Sequence, residues 1–237
     1  MKLFNFFNYT NPITVDLHSH LLPGIDDGVQ TIEEAVAIIK KFKLLGYSKL
    51  ITTPHIISDL YPNNRKIITQ KLHDVQEALK KENIDIDIEA SAEYYVDMEF
   101  LKLIENDDLI PFKGNYILFE TAYSSKPMIL EQVIYRLKEK GYIPVLAHPE
   151  RYRYLHKNMD LYKDLKVQGV LFQVNIKSLQ NKSKPIYKIA LNLIKLGLVD
   201  FMGSDVHKMN DIVKLKKTLQ SSAYKNAIQN NTLLNNK

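Results

Sequence analysis

Short segments rich in Val, Ile, Phe and Tyr alternate with amphipathic stretches along this chain, and that alternation limits the possible folds more than any other feature. Residues of these types are typical of β-strands. The seven segments are 13–20, 49–56, 86–95, 116–123, 143–150, 170–176 and 199–207. Strands that alternate with helices favour a parallel sheet. Seven such units favour an α/β barrel over an open sheet.

Glycines mark the junctions of these units in a regular way. Four of them follow a helical stretch and directly precede a strand, as expected at helix C-termini. They are Gly46, Gly141, Gly169 and Gly197, the last three at intervals of 28 residues. This interval is about the length of one strand–helix unit. We therefore predict one domain over residues 1–237, with a peripheral leader at 1–12 and a tail from about 224 to 237 that frays or forms a loose helix.

The composition excludes several classes of function. The chain of 237 residues has no cysteine, which excludes a disulfide framework and any mechanism with a thiolate nucleophile. Its net charge of +5 comes from scattered lysines rather than from a basic patch interleaved with aromatic residues, so no nucleic-acid partner is expected. No apolar run approaches the ~18 residues of a membrane span, and the N-terminal segment lacks the apolar core of a signal peptide. We expect a cytoplasmic protein.

Side chains that can bind metal ions close six of the seven predicted strands. Five of the seven histidines fall at these ends, whereas His73 and His156 fall in a helix and a loop and are interpreted as surface residues. The residues at the strand ends are Asp16, His18, His20, His55, Glu93, Glu120, His148, Asp205 and His207. In a barrel, the carboxyl ends of the strands form the rim on which active sites are built. The pattern therefore predicts a metal centre at this rim.

Mixed imidazole and carboxylate ligands suit Zn²⁺, Mn²⁺ or Fe. The ligand groups exceed the needs of one ion, so we expect several ions, at the ~3.5–4 Å separation that lets them clamp a phosphoryl group. Glu93 and Glu120 are natural bridging carboxylates, and strand alternation places Asp16 where it would orient a ligand histidine. Each motif alone has a plainer explanation, since A-H-P-E-R at 147–151 could be a turn with a buried ion pair. The joint placement at strand ends favours the metal centre.

Two further features could contribute to the site. The acidic loop at 21–29 carries Asp26 and Asp27, one of which could be another ligand, or the loop could be an exposed turn. Arg151 could bind a phosphate in a bidentate manner, or form a salt bridge with Glu150 or another acid. Four tyrosines beside ligand positions could line an aromatic pocket, although ordinary packing explains any one of them as well. They are Tyr94, Tyr95, Tyr123 and Tyr152.

In their order and spacing, these motifs resemble the polymerase-and-histidinol-phosphatase (PHP) superfamily, and within it the bacterial capsular-polysaccharide tyrosine-protein phosphatases. The motifs are D-L-H-S-H at 16–20, D-D-G at 26–28, T-P-H at 53–55, A-E-Y-Y at 92–95, F-E at 119–120, A-H-P-E-R-Y at 147–152 and S-D-V-H at 204–207. The resemblance covers about residues 13–210. It implies a distorted (β/α)₇ barrel with a three-metal centre that usually contains manganese.

The resemblance also implies roles for individual residues. One ion would be held by His18, His20, Glu93 and Asp205, a second by Glu93, Glu120 and His148, and a third by Asp27 (or Asp26), His55 and His207. Arg151 matches an arginine that helps to bind phosphate, and we place it with Asp16 among the catalytic residues. Several relatives carry a second arginine shortly after the D-x-H pair. Here Lys208 stands in that region and offers a point charge instead of a planar fork.

The implied substrate is phosphotyrosine on the tail of a membrane-bound bacterial tyrosine autokinase that controls exopolysaccharide export. The absence of cysteine agrees, because a tyrosine phosphatase without a thiol must use metal-activated water. We expect hydroxide to attack phosphorus directly, without a phosphoenzyme. One alternative is a histidinol-phosphate phosphatase or another small-molecule phosphomonoesterase of the superfamily. Another is a metal-binding regulatory module that hydrolyses nothing.

Overall fold

Parallel strands and α-helices alternate through the computed structural model, which describes residues 11–156 and 158–236. The strands are Val15–Leu17 (β1), Lys49–Thr52 (β2), His55–Ile56 (β3), Asp87–Ala90 (β4), Glu93–Tyr95 (β5), Tyr116–Glu120 (β6), Ile143–Ala147 (β7), Leu171–Asn175 (β8) and Phe201–Gly203 (β9). The helices are Ile32–Leu44 (α1), Arg65–Lys81 (α2), Met98–Glu105 (α3), Leu130–Glu139 (α4), Met159–Val167 (α5), Pro185–Lys195 (α6), Met209–Leu219 (α7) and Ser222–Asn230 (α8). Short 3₁₀ turns follow β7 and β8, at Pro149–Arg151 and Ile176–Leu179.

All pairings between these strands are parallel, which confirms the prediction of a parallel α/β architecture. The strands form two sheets, in the orders β1-β2-β4 and β3-β5-β6-β7-β8-β9. The predicted strands 49–56 and 86–95 each divide into two, so the sheet is interrupted where a continuous one was expected. Pro54 lies at the first interruption, and proline has no N–H to continue a ladder. Pairing resumes at once, with His55 opposite Glu93.

The first and last strands approach each other just beyond their carboxyl ends. Ser19 and Val206 form an isolated parallel bridge, and the His20 amide donates to the Val206 carbonyl at 2.9 Å. Gly203 permits this approach, because a Cβ there would lie 2.1 Å from the Leu17 carbonyl oxygen. The described strands form no continuous closed ladder, so the closed barrel itself stays a prediction.

Successive side chains of a strand point to opposite faces, one packed against the helices and the other turned towards the space that the strands surround. In β6, Ile117 and Phe119 belong to the main hydrophobic core, whereas Leu118 belongs to a smaller apolar cluster. The other buried members of that cluster are Leu17, Ile51, Phe112, Val145, Ala147 and Phe201. Glu120 follows Leu118 on the same face, at the carboxyl end of the strand. The strand ends therefore carry polar side chains next to an apolar interior layer.

The C-terminal tail forms helix α8, one of the two predicted alternatives, but the helix and the residues beyond it are anchored and not loose. Tyr224 in α8 and Asn235 beyond it are each 1% exposed. The Asn235 amide donates to the carbonyls of Val15 (3.1 Å) and Met202 (2.8 Å), and its Oδ1 accepts from the Met202 amide at 3.0 Å. An Asn-rich composition is typical of exposed chain, but here one asparagine joins the backbones of β1 and β9. Of the predicted leader, residues 1–10 lie outside the described residues.

Replacing Asn235 with Ala is expected to lower the free energy of unfolding by about 2–3 kcal/mol, because buried backbone groups of two strands lose their partners. The matched control is Asn236→Ala, since Asn236 makes its hydrogen bonds to Thr14 and Pro12 at the exposed surface. We expect the control to lose less than half as much. Urea-induced unfolding measures both variants. Equal losses would contradict the role of Asn235 in joining the strands.

Among the helices of the described residues, none combines the length and the apolar character that crossing a bilayer requires.

Candidate metal centre

The nine ligand residues predicted from the sequence come together at the carboxyl ends of the strands. Their ligand atoms form four overlapping groups, and within each group all atoms lie within 4.8 Å of one another. The groups are His20, Asp27, His55 and His207; His18, His20 and Asp205; His18, Glu93 and His148; and His55, Glu93 and Glu120. Neither His73 nor His156 belongs to a group found among the described residues. His73 is exposed, and His156 Nε2 contacts the Glu150 carbonyl oxygen at 2.8 Å.

Three of these residues have left-handed backbone conformations within two residues of the end of a strand. The angle φ is 97° at His18, 33° at His148 and 49° at Asp205. Such conformations cost about 1–3 kcal/mol each for residues other than glycine, and they persist where the surroundings fix them. The Asp205 amide donates to the His18 carbonyl at 2.7 Å and so connects two of the three. The predicted first strand, 13–20, consequently ends at Leu17.

Glu93 lies at the centre of the cluster and is fully buried. Its Oε2 lies 3.0 Å from His18 Nε2 and 3.5 Å from His20 Nε2. The same oxygen is 3.3 Å from His55 Nδ1, while Oε1 is 3.0 Å from His148 Nε2. Burial alone would raise the pKa of Glu93, but His18 and His55 hold it well below its ordinary value. Glu93 is therefore an ionised carboxylate in reach of four imidazoles.

Two of the histidines are oriented through the ring nitrogen that faces away from this centre. His18 Nδ1 lies 2.7 Å from Gln173 Oε1, and His20 Nδ1 lies 2.7 Å from Asp26 Oδ2. In both rings Nε2 is then directed towards Glu93. A hydrogen-bonded partner on the second nitrogen is what fixes the tautomer and orientation of metal-binding histidines.

Asp16 was predicted to orient a ligand histidine, and that assignment was wrong. Its carboxylate instead accepts from Ser204, from the backbone amide at 2.9 Å and from Oγ at 2.8 Å. The prediction assumed strand alternation through residue 20, but the left-handed conformation of His18 ends that alternation. Asp16 therefore fixes the segment that leads from β9 to Asp205.

The structure separates the roles of Asp26 and Asp27, which the sequence left open. Asp27 Oδ1 lies 3.5 Å from Nε2 of both His55 and His207. Asp26 is buried, and besides its contact with a ring nitrogen it accepts from the amides of Gly28 (2.9 Å) and His55 (3.1 Å). Asp27 therefore lies among the possible ligand atoms of the cluster, whereas Asp26 contacts the His20 nitrogen that faces away from it.

His148 and Glu120 complete the surroundings of Glu93. His148 Nε2 lies 3.9 Å from Glu120 Oε2, and Glu120 Oε1 lies 3.2 Å from His55 Nδ1. Burial lowers the pKa of His148 to about 4, so its ring is neutral at neutral pH, as a metal ligand must be. Burial and the neighbouring Glu93 raise the pKa of Glu120. A nearby cation would favour the ionised form of this second carboxylate.

The residues fit divalent metal ions. Three buried atoms of the cluster make no well-aligned hydrogen bond among the described residues, namely His55 Nδ1, His148 Nδ1 and Glu93 Oε1, although the first and the last lie close to charged partners. Buried polar atoms without partners are rare, and at functional sites an ion is one explanation. The nitrogen and oxygen donors, without thiolates, suit Mn²⁺, Fe or Zn²⁺.

The cluster opens into a cavity of about 370 Å³. Asp205 lines this cavity between the histidines of the cluster and the cationic side chains of the cavity wall. Asp205 Oδ2 accepts from Asn175 Nδ2 at 2.6 Å and forms ion pairs with Arg151 (3.3 Å) and Lys177 (2.8 Å). Burial alone would raise the pKa of Asp205, but Lys177 and His18 hold it well below its ordinary value. The ionised Asp205 thus lies between the histidines and the cationic wall.

Arg151 lines this cavity beside an aromatic ring. Its Cζ lies 4.6 Å from the ring centroid of Tyr123, which stacks on Tyr152 with 5.8 Å between centroids. Tyr123 is 41% exposed and lines the cavity. Tyr94 packs in the hydrophobic core, and neither Tyr95 nor Tyr152 is among the described residues that line the cavity. One of the four tyrosines, Tyr123, therefore lines the cavity beside the cluster.

Residues 14–232 match the family described as capsular polysaccharide synthesis, CpsB/CapC. The chain belongs to this family. It is 29% identical over 197 residues to the tyrosine-protein phosphatase YwqE of Bacillus subtilis, in an alignment that covers 82% of this chain and 78% of YwqE. It is 25% identical over 203 residues to the tyrosine-protein phosphatase CpsB of Streptococcus pneumoniae, in an alignment that covers 83% of this chain and 84% of CpsB.

A solved structure similar to this CpsB/CapC-family chain is described as a metal-dependent tyrosine phosphatase. It comes from crystallographic work on YwqE of Bacillus subtilis and CpsB of Streptococcus pneumoniae. The match has a TM-score of 0.78 at 27% identity and covers 93% of this chain and 96% of the other. The fold is therefore shared over nearly the whole of both chains.

Sequence reasoning missed three polar residues that support the site of this CpsB/CapC-family member. Gln173 and Asn175 lie in β8 and are fully buried, and Lys177 follows them. A buried amide within an otherwise apolar strand is the same kind of signal that identified Glu120. Lys177 gave no such signal, because lysines are frequent throughout the chain.

Glu150 is fully buried, and the salt bridge considered for it with Arg151 does not form among the described residues. Its Oε1 accepts from the Asn175 amide at 3.0 Å and from Ser178 Oγ at 2.7 Å. Its Oε2 has no hydrogen-bond partner among these residues. Burial raises the pKa of Glu150 to about 7. Arg151 pairs instead with the other acid, Asp205.

Glu150 is expected to make the metal-free protein less stable as the pH rises. Its folded-state pKa of about 7 exceeds the ordinary value of 4.5. The contribution of Glu150 to the free energy of unfolding is therefore fully present below pH 4.5 and is lost as the pH rises through 7. Glu150→Gln removes this dependence. Relative to the wild type, the variant should gain up to about 3 kcal/mol in free energy of unfolding between pH 4.5 and pH 8. Urea-induced unfolding at both pH values measures this, and a constant difference between the proteins would contradict it.

Proposed function

We propose that this member of the CpsB/CapC family is a metal-dependent protein tyrosine phosphatase. The observation that carries the proposal is the cluster of five histidines and four carboxylates at the strand ends, which opens into a cavity lined by Arg151. The chain has no cysteine, so a thiol-based phosphatase mechanism is excluded. The relatives named as tyrosine-protein phosphatases support the substrate class.

We assign three divalent ions, preferably Mn²⁺, to this cluster. The ligand sets are His18, His20, Glu93 and Asp205; Glu93, Glu120 and His148; and Asp27, His55 and His207. The central position of Glu93 supports the assignment, since this carboxylate contacts at least one histidine of every set. When bound, such ions lower the pKa of water towards ~7 and neutralise charge on phosphoryl oxygens.

The residues of the cavity wall bind and orient the substrate. Arg151, held between Asp205 and the Tyr123 ring, binds phosphoryl oxygens through its planar fork. The exposed part of Tyr123 borders the cavity and contacts the phenyl ring of the substrate there. Asp16 acts through Ser204 and keeps the segment of Asp205 in place. These residues explain how an aryl phosphate would be held above the ligand cluster.

The proposed reaction is a direct displacement. A water molecule gives up a proton to solvent as its oxygen attacks phosphorus, the bond from phosphorus to the phenolic oxygen breaks, and the phenolate takes up a proton from solvent. Phenolate is a fair leaving group, so no strong general acid is required. No phosphoenzyme is expected, and its trapping during turnover would exclude this mechanism.

We further propose that the phosphotyrosine lies on the tail of a bacterial tyrosine kinase that controls capsule or exopolysaccharide synthesis. The description of the family as capsular polysaccharide synthesis supports this substrate. For the architecture, we propose that the two sheets act as one distorted (β/α)₇ barrel, which the bridge between Ser19 and Val206 supports. The cytoplasmic location stays a prediction from the sequence.

Phosphate release from a phosphotyrosyl peptide and from histidinol phosphate, measured side by side, tests the proposed function. The protein is first stripped of metal and then given Mn²⁺. His148→Ala removes a cluster residue, and His73→Ala is the matched control because His73 is exposed on α2. We expect Mn²⁺-dependent release from the peptide by the wild type and the control, and its loss in His148→Ala.

Two other outcomes have definite meanings. Release from histidinol phosphate alone would show that the substrate is a small-molecule phosphomonoester and not phosphotyrosine in a protein. Absence of release from both substrates, with Mn²⁺ bound, would identify a regulatory module.

A further inference from the structure

Four cationic side chains line the cavity above the ligand cluster. They are Arg151, Lys177, Lys208 and Lys214. A phosphoryl dianion carries three terminal oxygens, and one guanidinium can bind at most two of them. A second cation is therefore needed to bind the remaining oxygen beside Arg151. The sequence indicated only Lys208 for this role.

Lys177 lies next to Arg151. It belongs to the 3₁₀ turn that follows β8, and its side chain is 28% exposed at the cavity. Its Nζ is 2.8 Å from Asp205 Oδ2, and Arg151 Nη1 is 3.3 Å from the same oxygen. The two cationic nitrogens cannot be farther apart than these two distances combined. An anion that displaces neither of them from Asp205 can still contact both.

The hydrogen-bonding capacity of Lys177 is not exhausted by Asp205. An ammonium group has three N–H donors. The described contacts of Lys177 Nζ are to Asp205, at 2.6 Å to the carbonyl oxygen and at 2.8 Å to Oδ2. Asp205 Oδ2 also has contacts with Asn175 and Arg151, more donors than the two lone pairs of one oxygen can serve well. At least one donor is therefore available to an anion in the cavity.

The other two lysines are less well placed. Lys214 is paired with Asp211 at 3.4 Å, one helical turn away on α7. Lys208 is exposed at the start of α7, and no contact with Asp205 is found for it among the described residues. Among the contacts of the described residues, neither lysine shares a partner atom with Arg151.

We propose that Lys177 is the second cation that binds the phosphoryl group, with its ammonium on one oxygen and the Arg151 fork on the others. This inference rests on the proposed function, since it names a substrate contact of the same site. Asp205 then has two roles, because one oxygen faces the histidines while the other keeps both cations at the cavity wall. Lys208, for which the sequence left this role open, is not assigned it.

Binding of inorganic phosphate to the Mn²⁺-loaded protein, measured by calorimetry, tests the proposal without requiring turnover. The variants are Lys177→Met, Lys177→Arg and Lys208→Met, with Lys182→Met as matched control because Lys182 is exposed in the segment after the 3₁₀ turn. Loss of one charge-assisted hydrogen bond is expected to weaken phosphate binding about tenfold or more in Lys177→Met. Lys177→Arg should recover most of this loss. Lys208→Met and Lys182→Met should stay within about threefold of the wild type.

Mn²⁺ binding is measured on the same variants to separate phosphate binding from metal binding. Unchanged phosphate affinity in Lys177→Met, or a larger loss in Lys208→Met, would overturn the proposal. So would a loss in Lys177→Met that disappears at saturating Mn²⁺, because Lys177 would then act only on Asp205. If the wild type binds phosphate in this manner but releases none from a phosphotyrosyl peptide, the proposed function fails while the phosphate contact stands.

Discussion

Replacing Glu93 with Gln is expected to lower kcat/KM for a phosphotyrosyl peptide on the order of 10³-fold or more, together with a loss of bound metal. Glutamine has nearly the same shape, but it is neutral and one of its two terminal atoms is a donor. The carboxylate lies within 3.5 Å of four imidazoles, so a single change alters the environment of every proposed ligand set. Metal content and phosphate release measured on the same sample test this expectation.

The matched control for Glu93→Gln is Glu89→Gln. Glu89 lies on β4, the strand that precedes β5 along the chain, is exposed and forms a surface ion pair with Lys49. We expect this control to retain wild-type metal content and activity, since surface ion pairs contribute little. Circular dichroism and thermal unfolding would show whether each variant folds. A folded Glu93→Gln protein with metal content and turnover like the wild type would contradict the central position of this carboxylate.

Replacing Arg151 with Met is expected to reduce kcat/KM about 10²–10³-fold, with Mn²⁺ content unchanged. The guanidinium is the planar, bidentate donor of the cavity, and no metal ligand is removed with it. Arg153→Met is the matched control, because Arg153 is two residues away but exposed. Steady-state kinetics with the peptide and with a small aryl phosphate measure the effect. Equal losses of kcat/KM in both variants would mean that the Arg151 guanidinium acts through its long-range charge and not by contact with the substrate.

The clustering of the candidate ligands was predictable because it depends on strand ends and not on exact strand boundaries. The first strand ends at Leu17 rather than near residue 20, yet His18 and His20 still lie at the rim. Glu120 was recognisable because an unpaired carboxylate in an apolar strand is costly. Parallel pairing followed from the alternation of strands and helices, which is a property of the whole chain.

Features that depend on backbone detail were not predictable. The role of Asp16 was misjudged because the left-handed conformation of His18 interrupts strand alternation, and nothing in D-L-H-S-H indicates it. The division into two sheets depends on where the ladder breaks near Pro54.

Long-range contacts of common residue types were not predictable either. Asn235 lies in a polar tail, and only the tertiary structure brings it to Val15 and Met202. Lys177 is one lysine among many until β8 places it beside Asp205.

The most direct test of the metal-dependent phosphatase is a titration of the metal-stripped wild type with Mn²⁺, in which bound metal and phosphate release from a phosphotyrosyl peptide are recorded on the same sample. We predict no release without metal, and release that rises as the strand-end cluster fills and levels off once about three ions per chain are bound. Release from the metal-free protein, or full Mn²⁺ binding without any release, would contradict it.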